Sequence, residues 1–538
     1  MRSSVFLYLA TAAIPLCAAN PLPQDVSTSS KVSKNTLQGC LNAAKAPIST
    51  QSSGDWSTQS SPYNTRIAFT PAIIVVATDP SHVQAAVKCG SQYGYKVTGR
   101  GGGHSYSSSG FGGENGHVVV QLDMMYAVTL QSDNTAVVQA GARLGHVATE
   151  LFNQGGRAIS HGSCPGVGVS GHALHGGYGL ASHGYGLALD WIIEATVVVA
   201  SGKIVKASTT QNADLFWALR GAGSSFGIVT EFKFNTFQAP DVVTTFSVPV
   251  PYNKNNQLVN ILVAFQKYAA NDMPAEMNMQ AAVNLDGVHF NGLYFGDEDQ
   301  TRDALSVLLN PANIDIDTAD IQQMDWIGQL EHYGGDPLDV TGPQSATDTF
   351  YASSLITKEV PKDGFKAFVD YLSSKAKSVN RGWFILIDVH GGKNSKTAQI
   401  DASSTAYAHR DKLLLWQFYD SSSGSVYPTN AAQGVGFMQN WMAAVSNKLA
   451  AGSWGRYANY ADSQLSNADA QNQYYGANLP RLKSIKAQYD PKGLFTYPQG
   501  APQSTVALWP LCVIYPPNSQ VHEICGGLHI LESLFHVP

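Results

Sequence analysis

Gly99-Arg100-Gly101-Gly102-Gly103-His104-Ser105-Tyr106 and Gly162-Ser163-Cys164-Pro165-Gly166-Val167-Gly168 decide how the rest of this chain is read. Each sets one nucleophilic side chain, His104 or Cys164, in a glycine-rich loop, and the two lie 60 residues apart (164 − 104). Glycine permits positive φ and lets backbone N–H groups come close to a charged ligand. Successive N–H groups in such a turn form an anion-binding nest, to which Arg100 adds a positive charge. The first loop therefore reads as a pyrophosphate cradle with His104 at its end. Taken alone, it reads equally well as a glycine-rich surface turn with a solvated histidine. Taken together, the two loops can grip one electrophilic ring from two sides, and a flavin is such a ring.

Two competing readings are weaker. Gly166-Val167-Gly168-Val169-Ser170-Gly171 matches G-x-G-x-x-G. A dinucleotide fold needs a hydrophobic strand before that motif and an acid at the end of the next strand. Residues 159–165 make a poor buried strand, and Asp190 and Glu194 precede the apolar run Ala195–Ala200 instead of following it. His172 and His175, at i, i+3, invite a metal, but no further ligands at metal spacing accompany them, and no metal is expected.

Both loops, with the downstream run Ser170-Gly171-His172-Ala173-Leu174-His175-Gly176-Gly177-Tyr178-Gly179, resemble the FAD domain of the vanillyl-alcohol-oxidase superfamily. Within it they are similar to the berberine-bridge-enzyme-like oxidases, closest to the secreted fungal gluco-, xylo- and chito-oligosaccharide oxidases. The resemblance runs from Pro62 to Gln499. It takes in Asp214–Gly221, Ser225–Thr230, Tyr457–Asp462 and the stretch from Tyr474-Tyr475-Gly476 to Tyr489-Asp490-Pro491. It implies an α+β fold: a PCMH-type FAD-binding domain of two α/β subdomains, plus a substrate domain whose antiparallel sheet is backed by helices. It also implies FAD held by two covalent bonds, from His104 to the 8α carbon and from Cys164 to C6. The cofactor-binding role passes, by the same resemblance, to Arg100, Gly101, Gly102, Gly103, Ser105, Gly141, Ser163, Val167, Gly168, Gly171, His172, Gly177, Gly179, Gly227, Ile228, Tyr457 and Asn459.

Oxidising an anomeric hydroxyl removes the O–H proton while hydride leaves C1 for the flavin. A phenolate can take that proton, but an unperturbed tyrosine has a pKa of roughly 10 and needs tuning. Tyr460 matches the catalytic tyrosine of the oligosaccharide oxidases and Asp388, in Leu386-Ile387-Asp388-Val389-His390, the acid that assists it. Without the resemblance, Tyr460 is one of 24 tyrosines and Asp388 a strand-end polar residue. Tyr106, Gln417 and Tyr333 are the expected sugar-binding residues. Phe384 stands where some relatives carry Trp, and Leu386 where the glucose-type enzymes carry a polar side chain. In the berberine-bridge-like group the third residue after the flavin-linked Cys gates oxygen, and a small side chain goes with oxidase behaviour. Here it is Val167, which implies O2 as acceptor and hydrogen peroxide as product. An oxidase of a secondary metabolite using the same anchors is the alternative function, and a non-catalytic flavin- or carbohydrate-binding protein a third.

Composition is compatible with this. At 538 residues the chain is long enough for two domains. Charged residues make up 13% and hydrophobic ones 44%, which points to a globular chain. A net charge of −6 argues against nucleic acid or anionic membrane as partner; carbohydrate and O2 are the expected partners, and a monomer the expected state. Residues 1–19 read as a signal peptide, with Arg2 ahead of an apolar Val5–Leu16 too short to span a bilayer. A secreted, extracellular protein is thus expected, although no N-x-S/T sequon adds support.

The domain reading is 20–61 as an N-terminal segment, 62–240 as the FAD-binding domain, 241–455 as the substrate domain, 456–502 as a segment returning to the FAD domain, and 503–538 as an atypical tail. The FAD domain should hold strands at Ala72–Val76, Val118–Leu122 and Ala136–Ala140, helices at Pro80–Gly94 and Arg143–Gln154, and a hairpin from Trp191 to Val205. Apolar runs at Ala281–Phe295, Trp383–Val389 and Lys412–Tyr419 alternate with a helix at Lys362–Ser378 in the substrate domain. Cys40 and Cys89 are expected to pair in an oxidising compartment, with two buried thiols as the alternative. Cys512 and Cys525 lie in the tail, which is either a disulfide-stapled appendage or translated intron sequence and receives no function.

Overall fold

The computed structural model describes residues 35–503 apart from 336, 344, 345, 423–425 and 431. The expected signal peptide and the tail cysteines lie outside the described residues.

The run at 72–76 forms the strand Ile73–Val76. Asp79 then caps the helix Pro80–Gln92 by accepting from Ser81 N at 2.7 Å, and Pro80 sits in its first turn, where a missing N–H costs nothing. Strands Ile48–Ser49, Ile73–Val76, Val118–Gln121 and Val97–Arg100 lie side by side in that order, the last three parallel. The loop carrying His104 leaves the end of Val97–Arg100. It therefore emerges at the carboxyl edge of the parallel strands, where α/β sheets bind ligands. A second, antiparallel sheet orders Val128–Leu130, Ala136–Gln139, Ile228–Phe234, Ile192–Val198 and Ile204–Ser208. The expected hairpin is its edge, turning at Gly202 with φ of 75°.

The third large sheet has eight antiparallel strands, ordered Asp320–Met324, Val243–Pro249, Val288–Tyr294, Met277–Val283, Gly382–Val389, Leu414–Ser421, Phe350–Thr357 and Trp454–Gly455. Side chains alternate across a strand. Trp383, Ile385, Ile387 and Val389 accordingly enter a core with Phe265, Phe368 and Trp441 of the backing helices Asn255–Asn271, Lys362–Ser374 and Val435–Ser446. Trp416 and Phe418 of the next strand join them. This parity leaves Phe384, Leu386 and Asp388, with Tyr419, Gln417 and Leu415 opposite them, on the other face. The fold is the mixed α+β arrangement the resemblance implies.

Two expectations change in detail. The run 281–295 is two strands, because Asn284 Oδ1 accepts from Asp286 N and Gly287 N and turns the chain back, with Gly287 at φ of 145°. The helix expected over 362–378 ends at Ser374, and a single 3₁₀ turn, Ala376–Ser378, follows. Cys40 and Cys89 are bonded, joining the helix Leu37–Ala43 to Pro80–Gln92 with Cα atoms 5.9 Å apart.

Candidate active site

A cavity of about 1410 Å³, open mouth included, runs from the end of the strand Val97–Arg100 and the start of Ile228–Phe234 to the segment Ala458–Ala461. The residues lining it include Arg100, Gly102, Gly103, His104, Ser105 and Tyr106 of the first loop, then Val167, Gly168, Gly171 and His172, and finally Gly227, Ile228, Asn459 and Tyr460. The two loops meet backbone to backbone. A methyl group on Gly102 would collide with Gly168 N, and one on Gly168 with Gly102 N, so neither position tolerates a side chain. Gly171 faces open space. The other expected glycines do not line the cavity: Gly101 packs against Ser170 and Ala140, Gly141 under the Leu122 carbonyl, and Gly179 against His161. Gly177 donates its N–H to Tyr457.

The two expected anchors stand in different states. The His104 ring stacks on Tyr63, with centroids 4.0 Å apart. Burial, followed by the positive charge of Arg143, holds its pKa at about 4, so the imidazole is neutral and has a free lone pair at neutral pH. Cys164 is a free, exposed thiol. It is not part of the cavity wall, but its loop is tied to the His104 loop by Arg143, whose Nη1 donates to both Gly102 O and Gly166 O. Desolvation pushes its thiol above the ordinary range. Ser163, next to it, lines a small neighbouring cleft with Trp326 and Leu330.

Arg100 lines the cavity, while its guanidinium is held within the protein. Its guanidinium donates to Gln121 Oε1 at 2.7 Å and to the carbonyls of Ser61 and Gln59, and lies over the Phe111 ring. It braces the loop from behind. His172 and His175 are turned to the backbone: His172 Nε2 accepts from Gly162 N at 2.9 Å, and His175 Nδ1 lies 3.0 Å from the Gly171 carbonyl. Among the described residues, the one group spaced for a metal is His146, Glu150 and Asp339, where His146 already pairs with Asp339 at 2.8 Å.

At the other end of the cavity, Tyr106 and Tyr460 lie parallel, 5.9 Å between centroids. Gln417 Nε2 donates to the Tyr106 hydroxyl at 2.8 Å. Asp388 is buried, its Oδ2 has no hydrogen-bond partner, and burial lifts its carboxyl to about 8. Tyr460 is raised well above the usual tyrosine range, first by burial and then by the charge of Asp388. The charge of Asp388 thus adds to the basicity of Tyr460, while burial alone raises Asp388. Tyr457 ties this end to the glycine loop, its hydroxyl accepting from Gly177 N at 2.8 Å and Tyr178 N at 3.1 Å. Asn459 Nδ2 donates to the His172 carbonyl at 3.0 Å. Tyr333 does not line the cavity; its hydroxyl donates to the Gly292 carbonyl at 2.6 Å.

This geometry is matched by known proteins. Residues 71–208 match the FAD binding domain family and residues 456–502 the family described as berberine and berberine like. A chitooligosaccharide oxidase of Gibberella zeae is 44% identical over 472 residues, 87% of this chain and 94% of that one. This chain belongs to the berberine-bridge-like FAD-linked oxidases. Among solved structures of the family, the xylooligosaccharide oxidase of Myceliophthora thermophila in complex with xylobiose has a TM-score of 0.85 at 43% identity, covering 88% of this chain and 100% of that one. The glucooligosaccharide oxidase of Acremonium strictum, described with a 6-S-cysteinyl, 8α-N1-histidyl FAD, has a TM-score of 0.83 at 42% identity, covering 87% and 99%.

The residues here fit the cofactor of that family. The Gly102–Gly168 approach and the neutral His104 imidazole line the cavity, and the free Cys164 thiol lies on the loop whose Val167 and Gly168 line it too. Sequence reading missed two members of the site. Tyr63 carries no local signal, since its contact with His104 closes across 41 residues (104 − 63). Arg143 was legible only as a helix start, although a lone cation in the apolar run Val137–Val147 of a charge-poor chain is itself a signal.

Proposed function

We propose that this protein is a secreted flavoprotein oxidase that converts the anomeric C1 hydroxyl of mono- and oligosaccharides to the lactone, with FAD linked to His104 and Cys164 and O2 as final acceptor. One observation carries the reading: Tyr460, whose hydroxyl is acted on by the buried Asp388 carboxyl, lines the same cavity as His104. Bound FAD would supply the hydride acceptor. Tyr460 takes the C1–OH proton as its own phenol proton passes on to Asp388, which accepts it once its buried carboxyl has ionised. Tyr106, oriented by Gln417, holds the sugar ring at the cavity end. Val167 lines the cavity, and its modest size leaves oxygen access open. Tyr333 stands one residue before Gly334, which packs on the Ser163 carbonyl; a longer sugar would reach it past the Cys164 loop. The expected working state is a monomer.

The test is peroxide release on cellobiose, xylobiose and chitobiose by wild type and Tyr460→Phe. Peroxide should appear in step with lactone, and the variant should lose on the order of 10²–10⁴-fold in kcat with its flavin retained. Flavin-loaded protein that releases no peroxide on any of the three would sink the sugar reading and leave a metabolite oxidase.

A further inference from the structure

Arg143 is buried between the two anchor loops, and its guanidinium reaches three carbonyls. Nη1 donates to Gly102 O at 2.8 Å and to Gly166 O at 2.5 Å, while Nε and Nη2 donate to Gly342 O at 3.1 and 2.8 Å. Gly102 stands two residues before His104, and Gly166 two residues after Cys164. A single nitrogen therefore spans from one anchor's loop to the other's. The backbone around Arg143 holds the Cys164 loop as well. Arg143 and Gly168 form an isolated antiparallel bridge, Leu144 N donates to Val167 O at 2.9 Å, and Gly145 N donates to Pro165 O at 3.1 Å. The Gly102–Gly168 backbone approach and the packing of Gly101 on Ser170 also bring these segments together, but close packing sets a minimum distance and exerts no pull. A planar fork with several donors suits a bridge between two carbonyls; an ammonium on a flexible stem suits it less well.

We propose that Arg143 is a positioning residue for double attachment of the flavin: it holds the Cys164 loop at the spacing from His104 at which one ring can be bonded from both sides. The proposal rests on the FAD reading above. Each attachment replaces one C–H of the flavin and one N–H or S–H of the protein by a C–N or C–S bond. The two electrons and two protons released reduce one O2 to H2O2 per bond. His104 sits at the end of its own cradle and needs no bridge, whereas the Cys164 thiol depends on where the second loop is held.

The experiment is peptide mapping by mass of acid-denatured wild type, Arg143→Met and Arg143→Lys, beside thermal melting of each. Wild type should carry FAD on both His104 and Cys164. Arg143→Met should keep the His104 bond and lose at least about tenfold in Cys164-linked peptide at a nearly unchanged melting temperature. Arg143→Lys should recover part of it. Folded Arg143→Met with both bonds at wild-type yield overturns the proposal. If the Met variant does not fold, the Lys variant decides on the same ratio, and failure of both to fold makes Arg143 a residue of the fold and overturns it too. Wild type lacking the Cys164 bond overturns the two-bond reading and this proposal with it, an outcome separate from a variant-only result.

Discussion

Asp388 shows how one side chain couples reactivity to stability. Its carboxyl is lifted to about 8 by burial, whereas an unfolded aspartate titrates near roughly 3.9. Between those values the folded protein holds a proton that the unfolded chain releases. This group's contribution to stability is therefore full below pH 4 and is lost as pH rises through 8. Two outcomes follow for Asp388→Asn. Its melting temperature at pH 8 should exceed that of wild type, with the difference shrinking toward pH 4. Its kcat should fall about 10²-fold or more and lose the rise toward pH 8 that ionisation of Asp388 gives wild type. A pH series of melting curves and sugar-dependent kcat values reads both; a variant no more stable than wild type at pH 8 would count against the buried, unpartnered carboxyl.

At the scale of elements, the site is built by strand parity and by loop contact. Gly382–Val389 sends alternate residues into the helix-backed core, so a one-residue slip in register would bury Asp388 among Phe265 and Trp441 and turn Ile387 to the opposite face. The pairing of Leu386 with Gln417 keeps the sugar-facing residues of two strands in one row. The loops are less tolerant, since the Gly102–Gly168 approach leaves no room for even a methyl group. Gly168→Ala should push the loops apart at a cost of about 1–3 kcal/mol. Purified variant should show flavin absorbance per protein well below that of wild type, and an unchanged ratio would mean the loops can part without losing the cofactor.

Over the whole molecule, the cavity exists because separate sheets close on it. Tyr457 binds Gly177 and Tyr178 across 280 and 279 residues, and Tyr106 meets Gln417 across 311. The Cys40–Cys89 bond lies away from this cavity and closes a sequence separation of 49 residues. By the chain-entropy estimate it contributes roughly 4 kcal/mol. Cys40→Ser should therefore melt several degrees lower while keeping its flavin and its turnover at 25 °C. A parallel loss of flavin would show that the N-terminal helix supports the site after all.

How much of this was legible beforehand depends on the range over which each property is set. The sequence by itself determined the two anchors, their glycine loops, the strands and helices of the FAD-binding half and the α+β class, because glycine placement and hydrophobic period act over a few neighbouring residues. It left the strand pair within 281–295 unread, since a turn made by Asn284 hides inside a long apolar run. Only the tertiary structure decided that Asp388 is buried with its charge acting on Tyr460 across 72 residues (460 − 388), that Tyr63 covers His104, and that Arg143 joins the two loops. Burial, protonation and the reach of a guanidinium depend on which distant segments the fold brings together.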